Sequence, residues 1–134
     1  MHAFIIEDEY LIGRSLQDML EELGFDFFSF ARSEDAAVVG AQGQSIDLIT
    51  ADVRLLPGDG VAAVRSICAK REIPLIFITA YAEELRDRMP DAIVIQKPVA
   101  KEALAAAVSA ALKKEPRSPD RCCLPPSEGP SAIR

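Results

Sequence analysis

Apolar residues recur along the chain in two alternating patterns, short unbroken runs and stripes at helical spacing. The runs are "AFII" at 3–6, "FDFFSFA" at 25–31, "LITA" at 48–51, "LIFIT" at 75–79 and "AIVIQ" at 92–96. Each is too short for a helix, and continuous runs of this kind suit strands buried on both faces. The second, rich in aromatics, reads as the strand nearest a sheet edge. Between the runs, Ile12, Leu16, Met19, Leu20 and Leu23 share one helical face that Gly24 closes as a C-terminal cap. Ser33 reads as the N-cap of a second helix, "EDAAVVGAQ", weakened by Gly40 and ended near Gly43. Val61, Val64, Ile67 and Cys68 mark a third helix, and Leu104, Val108, Ala111 and Leu112 the inner face of a last one. The fourth interval is only "AYAEELRDRMPD", and Pro90 must end whatever helix it holds.

Five strands alternating with five helices predict a single α/β domain of three layers. Its parallel sheet would run in the flavodoxin-like order 2-1-3-4-5, with helices on both faces and a short fourth helix. The pattern places this domain at residues 1–114. From 115 on, five of twenty residues are Pro and the periodicity stops, so residues 115–134 read as a disordered tail. A chain of 134 residues, 49% hydrophobic, suits one domain with a sizeable core.

Composition removes several function classes. A net charge of −6 with no clustered Lys and Arg argues against nucleic acid as a partner. No apolar run approaches a membrane span and the start lacks a signal peptide, so we expect a cytoplasmic protein away from membranes. Cys68, Cys122 and Cys123 fit neither a disulfide framework nor the usual metal spacing. His2, alone and terminal, receives no role.

In such a sheet the C-terminal strand ends lie along one edge, where ligands bind. The first strand delivers Glu7 and Asp8 there, the third Asp52, the fourth Thr79 and the fifth Lys97. Carboxylates about 4 Å apart repel by roughly 4 kcal/mol per pair at an effective dielectric near 20. The cluster therefore calls for a hard cation, and Mg²⁺ with its oxygen ligands fits. A carboxylate nucleophile, a metal, an ammonium and a hydroxyl together suit phosphoryl transfer to Asp52. Glu9 reads as serving the positive end of the first helix.

On these residues the chain resembles a response regulator receiver domain of the CheY-like family, over about residues 3–113. The resemblance implies that Asp52 is the phospho-acceptor. Glu7 and Asp8 become the acidic pair, with Asp8 the more direct Mg²⁺ ligand and the backbone carbonyl of Arg54 a further one. Thr79 matches the switch hydroxyl, Lys97 the lysine of a cis Lys-Pro pair, and Gly60 the loop glycine eight residues after the acceptor. The departures are Glu at 7, Pro57 five residues after Asp52 where four is usual, and Val94 where the family's switch aromatic stands. Tyr81 is the natural substitute. "PLIFITAY" and "IQKP" further resemble a receiver subfamily with a Pro-Phe-x-Phe-Ala-Thr-Gly-Tyr motif, frequent in alphaproteobacterial signalling.

The implied function is a stand-alone phosphoprotein of two-component signalling. It would take its phosphoryl group from a histidine kinase or histidine phosphotransferase, and the last twenty residues are too few for an output domain, so it would act by protein contact. Shuttle, phosphate sink and kinase feedback all remain open. A pseudo-receiver working without phosphorylation is the alternative. An aspartate-nucleophile phosphatase normally has a second Asp two residues after the nucleophile, and here that position is Arg54, whose side chain stands close enough to lean over a phosphoryl group. We therefore expect no enzyme beyond a domain that catalyses its own phosphorylation and dephosphorylation.

Overall fold

The computed structural model describes residues 1–113, so the tail with Cys122 and Cys123, and the last residue of the expected domain, lie outside the described residues. The main sheet is parallel, built from β1 (His2–Ile6), β2 (Phe27–Ala31), β3 (Leu48–Ala51), β6 (Leu75–Thr79) and β7 (Ile93–Gln96) in the order β2-β1-β3-β6-β7. This is the expected flavodoxin-like order, with an extra hairpin between its third and fourth strands. Strands β4 (Arg54–Leu55) and β5 (Gly58–Asp59) make that antiparallel hairpin, which the hydrophobic pattern did not foretell. Its turn is Leu56-Pro57, and both Leu56–Pro57 and Lys97–Pro98 are cis peptides.

Alternation along the strands explains why the runs of the inner strands are almost wholly apolar. Phe4, Ile6, Ile49, Ala51 and Phe77 face one core with α2 (Glu34–Ala41), α3 (Gly60–Ile67) and α4 (Ala82–Arg88). Ala3, Ile5, Leu48, Ile76 and Ile78 face the other with α1 (Tyr10–Glu22) and α5 (Lys101–Lys113). Successive side chains of one strand thus feed opposite cores. The edge position of β2 leaves Phe27 and Phe30 exposed.

Local signals account for the helix ends. Gly24, at φ 104°, closes α1: its N–H donates to the Glu21 carbonyl and the Phe25 N–H to the Leu20 carbonyl. These are the two bonds of a Schellman cap, with Phe25 and Leu20 in the same core. The Ser33 hydroxyl accepts from the Ala36 N–H at 3.1 Å, as an N-cap should. Helix α4 has one fully buried residue, Leu85, with Met89 partly buried beside it.

Two expectations change, those for Leu112 and His2, and that for Glu9 gains a detail. Leu112 is exposed, and Ala107 joins Leu104, Val108 and Ala111 on the inner face of α5. Eight residues beyond Leu104, Leu112 has rotated roughly 80° out of the stripe. Glu9 stands at the N-cap of α1, the positive helix end where it was expected, without a side-chain cap bond, and its carboxylate lies 3.8 Å from Lys97 Nζ. His2 is buried, with Nδ1 bonded to the Ser45 carbonyl and Nε2 to the Ser29 hydroxyl, so it joins β1, β2 and the loop before β3.

Candidate functional site

The site lies at the C-terminal edge of the main sheet, between the central strands β1 and β3. The backbone fixes its frame. Asp52 N–H donates to the Ile6 carbonyl at 3.0 Å and Lys97 N–H to the Thr79 carbonyl at 2.9 Å. Each strand end is thereby tied to its neighbour just where it delivers its polar residue. Gly60 passes so close to the loop after β3 that a Cβ on it would sit 1.6 Å from the Asp52 carbonyl oxygen. Glycine is required there because the backbone itself fills the space.

Glu7, Asp8 and Asp52 converge as expected, each offering a carboxylate oxygen within 4.8 Å of the others. Glu7 and Asp52 are buried and Asp8 half-buried. Lys97 reaches in from β7, its Nζ 2.8 Å from Asp52 Oδ2 and 3.1 Å from Glu7 Oε1. The other oxygen of this carboxylate, Asp52 Oδ1, is buried with no hydrogen-bond partner. One ammonium thus faces a surplus of carboxylate charge. Burial, and next the field of Asp52, push Glu7 up from 4.5 to about 7 despite Lys97. For Lys97, burial disfavours the charge, but the hydrogen bond to Asp52 and the fields of Glu7 and Asp52 together outweigh it and raise the pKa.

An orphaned buried carboxylate oxygen within an all-oxygen donor set fits a hard divalent cation such as Mg²⁺. Glu7, Asp8 and Asp52 are the side chains that would hold it.

Thr79 is fully buried, and its Oγ1 accepts from the Tyr81 N–H at 3.0 Å. Its own proton remains to be donated. Arg54 enters the geometry through its side chain rather than leaning over Asp52. The guanidinium carbon lies 3.8 Å from the centre of the Tyr81 ring, and the group pairs with Glu84 of α4. Farther along α4, Arg88 pairs with Asp59, whose side chain also caps α3. Sequence reasoning found Arg54 and Tyr81 but missed Glu84 and Asp59. Each stands about thirty positions from its partner, and an acidic residue at a helix start already has an ordinary role there.

The family model for the response regulator receiver domain matches residues 3–109. The phyllosphere-induced regulator PhyR of Methylorubrum extorquens is 38% identical over 112 residues, covering 81% of this chain and 42% of that protein. The transcriptional regulatory protein PdtaR of Mycobacterium tuberculosis is 35% identical over 91 residues, covering 67% of this chain and 44% of its own. The chain therefore spans less than half the length of these curated relatives. The solution structure of the Erythrobacter litoralis PhyR receiver domain superposes with a TM-score of 0.81 at 30% identity, covering 98% of this chain and 95% of that one. Sheet order, convergent carboxylates and sequence similarity agree, and the chain belongs to the response regulator receiver domain family.

Proposed function

We propose that the chain accepts a phosphoryl group on Asp52 from the phosphohistidine of a histidine kinase or histidine phosphotransferase and passes the signal on by protein contact. The observation that carries this reading is the geometry at Asp52. One oxygen is held 2.8 Å from the Lys97 ammonium, and the other is buried and unpartnered beside two further carboxylates.

In the transfer, an Asp52 carboxylate oxygen attacks phosphorus, the phosphorus–nitrogen bond of phosphohistidine breaks, and the imidazole nitrogen keeps the electron pair. The product is an acyl phosphate. Burial strips water from the nucleophile, and Lys97 is placed to meet the new phosphoryl oxygens. Thr79 has a hydroxyl proton to donate to the same group. A bound Mg²⁺ would neutralise charge on the carboxylates and the phosphoryl oxygens, with the Arg54 carbonyl as a further ligand. Hydrolysis of the acyl phosphate by the same site makes the domain a timer that catalyses its own phosphorylation and dephosphorylation, without being an enzyme for an outside substrate.

We place this function in the cytoplasm; among the described residues no helix is long and apolar enough to cross a membrane. Output by protein contact is supported by likeness to proteins titled anti-anti-sigma factor, such as that of Bartonella quintana, 36% identical with a TM-score of 0.75. The test is intact-mass measurement with Mg²⁺ and a small phosphodonor or a phosphorylated histidine kinase. One phosphoryl group is expected on the wild type and none on Asp52→Asn. Label persisting on Asp52→Asn would move the acceptor elsewhere.

A further inference from the structure

Arg54 is joined at the surface to the segment that follows the switch hydroxyl. Val53 and Leu55 turn into the core, while Arg54 between them is exposed, two residues beyond Asp52. There the Arg54 guanidinium stacks on Tyr81, and its Nε and a terminal nitrogen donate to both carboxylate oxygens of Glu84. One face of the group and two of its donors are occupied. The carboxylate that occupies them is held in turn, because the Arg88–Asp59 pair fixes the far end of α4 against the start of α3. A guanidinium two residues from a phospho-acceptor would otherwise be a natural fork for phosphoryl oxygens.

We propose that Glu84 is a positioning residue that withholds Arg54 from the anion reacting at Asp52, and so selects against small phosphodonors that are captured by charge alone. A phosphohistidine presented on a protein brings a docking surface and needs no such capture, whereas a small dianion has little else to hold it. The inference rests on Asp52 being the acceptor.

The test measures Asp52 phosphorylation of the full chain by intact mass, with Mg²⁺ and varied acetyl phosphate, for wild type, Glu84→Gln, Arg54→Gln and the double variant. Acetyl phosphate gives up its phosphoryl group to Asp52 and leaves as acetate, so label and leaving group balance. Freeing one exposed charge should lower the KM of Glu84→Gln about fivefold at unchanged kcat. The gain should vanish in the double variant and in about 0.5 M salt. A merely structural role for Glu84 at the start of α4 predicts none of these dependences. An unchanged KM in Glu84→Gln, or a gain that survives loss of Arg54, overturns the proposal while leaving Asp52 as acceptor. If neither acetyl phosphate nor a phosphorylated histidine kinase labels Asp52 of the wild type, the phospho-acceptor reading falls and this inference with it. The Arg54 Nε–H resonance provides a readout that depends on no variant folding. It should stay in place when inorganic phosphate is titrated into the unmodified wild type, in which the 80–92 segment has not switched, and its displacement would overturn the proposal.

Discussion

Glu7 makes the metal-free protein sensitive to pH in a direction opposite to that of most carboxylates. Its pKa rises from 4.5 when unfolded to about 7 in the fold, so between those values the folded state holds a proton that the unfolded chain has lost. Stability then falls as pH rises. The cost is absent below pH 4.5, grows through the interval and is complete above about 7. The interval converts to about 3 kcal/mol, and water reaching the mouth of the site screens this to roughly 1–2 kcal/mol. Other displaced carboxylates act elsewhere. The Glu84 pKa is lowered, chiefly by the Arg54 hydrogen bond, and Asp59 is lowered because Arg88 and backbone N–H groups outweigh its burial. Both therefore lose their contributions at acid pH, below the Glu7 window. Glu7→Gln removes the titration but keeps the shape, so urea unfolding in EDTA should show the variant matching wild type near pH 5 and exceeding it by roughly 1–2 kcal/mol at pH 8. Added Mg²⁺ should flatten the wild-type curve by stabilising the charged form. A difference between the two proteins that stays constant from pH 5 to 8 would refute the reasoning, because Glu7 would then be charged throughout.

The remaining expectations are local. Gly60→Ala drives a methyl into the Asp52 carbonyl oxygen, so it should cost more than about 3 kcal/mol in urea unfolding or prevent folding; near-neutral stability would mean the loop moves aside freely. Ser33→Ala removes one cap bond and should cost about 1 kcal/mol without changing Asp52 phosphorylation. Helix α4, buried by a single leucine, should lie low on the scale of local stability. Hydrogen exchange with and without beryllofluoride should therefore show residues 80–92 gaining protection on modification, and Tyr81→Ala should keep phosphorylation but lose that gain. Strong protection of these amides beforehand, or equal coupling in Tyr81→Ala, would count against Tyr81 as a switch.

What the sequence revealed and what it withheld divide along the range of the interactions. Strands, helix stripes and the caps at Gly24 and Ser33 are set by neighbours a few residues away, and their periods can be read directly. Glu7, Asp8, Asp52, Thr79 and Lys97 are far apart in the chain, yet they became legible once the strand order put every strand end on one edge. The hairpin at 54–59 hid because two-residue strands carry no period, although Pro57 and Gly58 marked a turn. Hidden too were the pairs Arg54–Glu84 and Asp59–Arg88, since nothing in a helix start says which distant cation its acid will meet. His2 shows the same limit: only the fold brings Ser29 and Ser45 to its ring.

The alternation of β1 between two cores has a further consequence for how variation can spread through this protein. All five of its residues are buried, and consecutive ones serve opposite sides of the sheet. A substitution in either core is therefore felt by the strand that leads into Glu7 and Asp8. Helix α4 answers to one buried leucine and the two ion pairs of Glu84 and Arg88, leaving its other outward positions free to change without disturbing the carboxylates. For the protein contact proposed above, substitutions at those positions of α4 should be tolerated long before any is tolerated in β1.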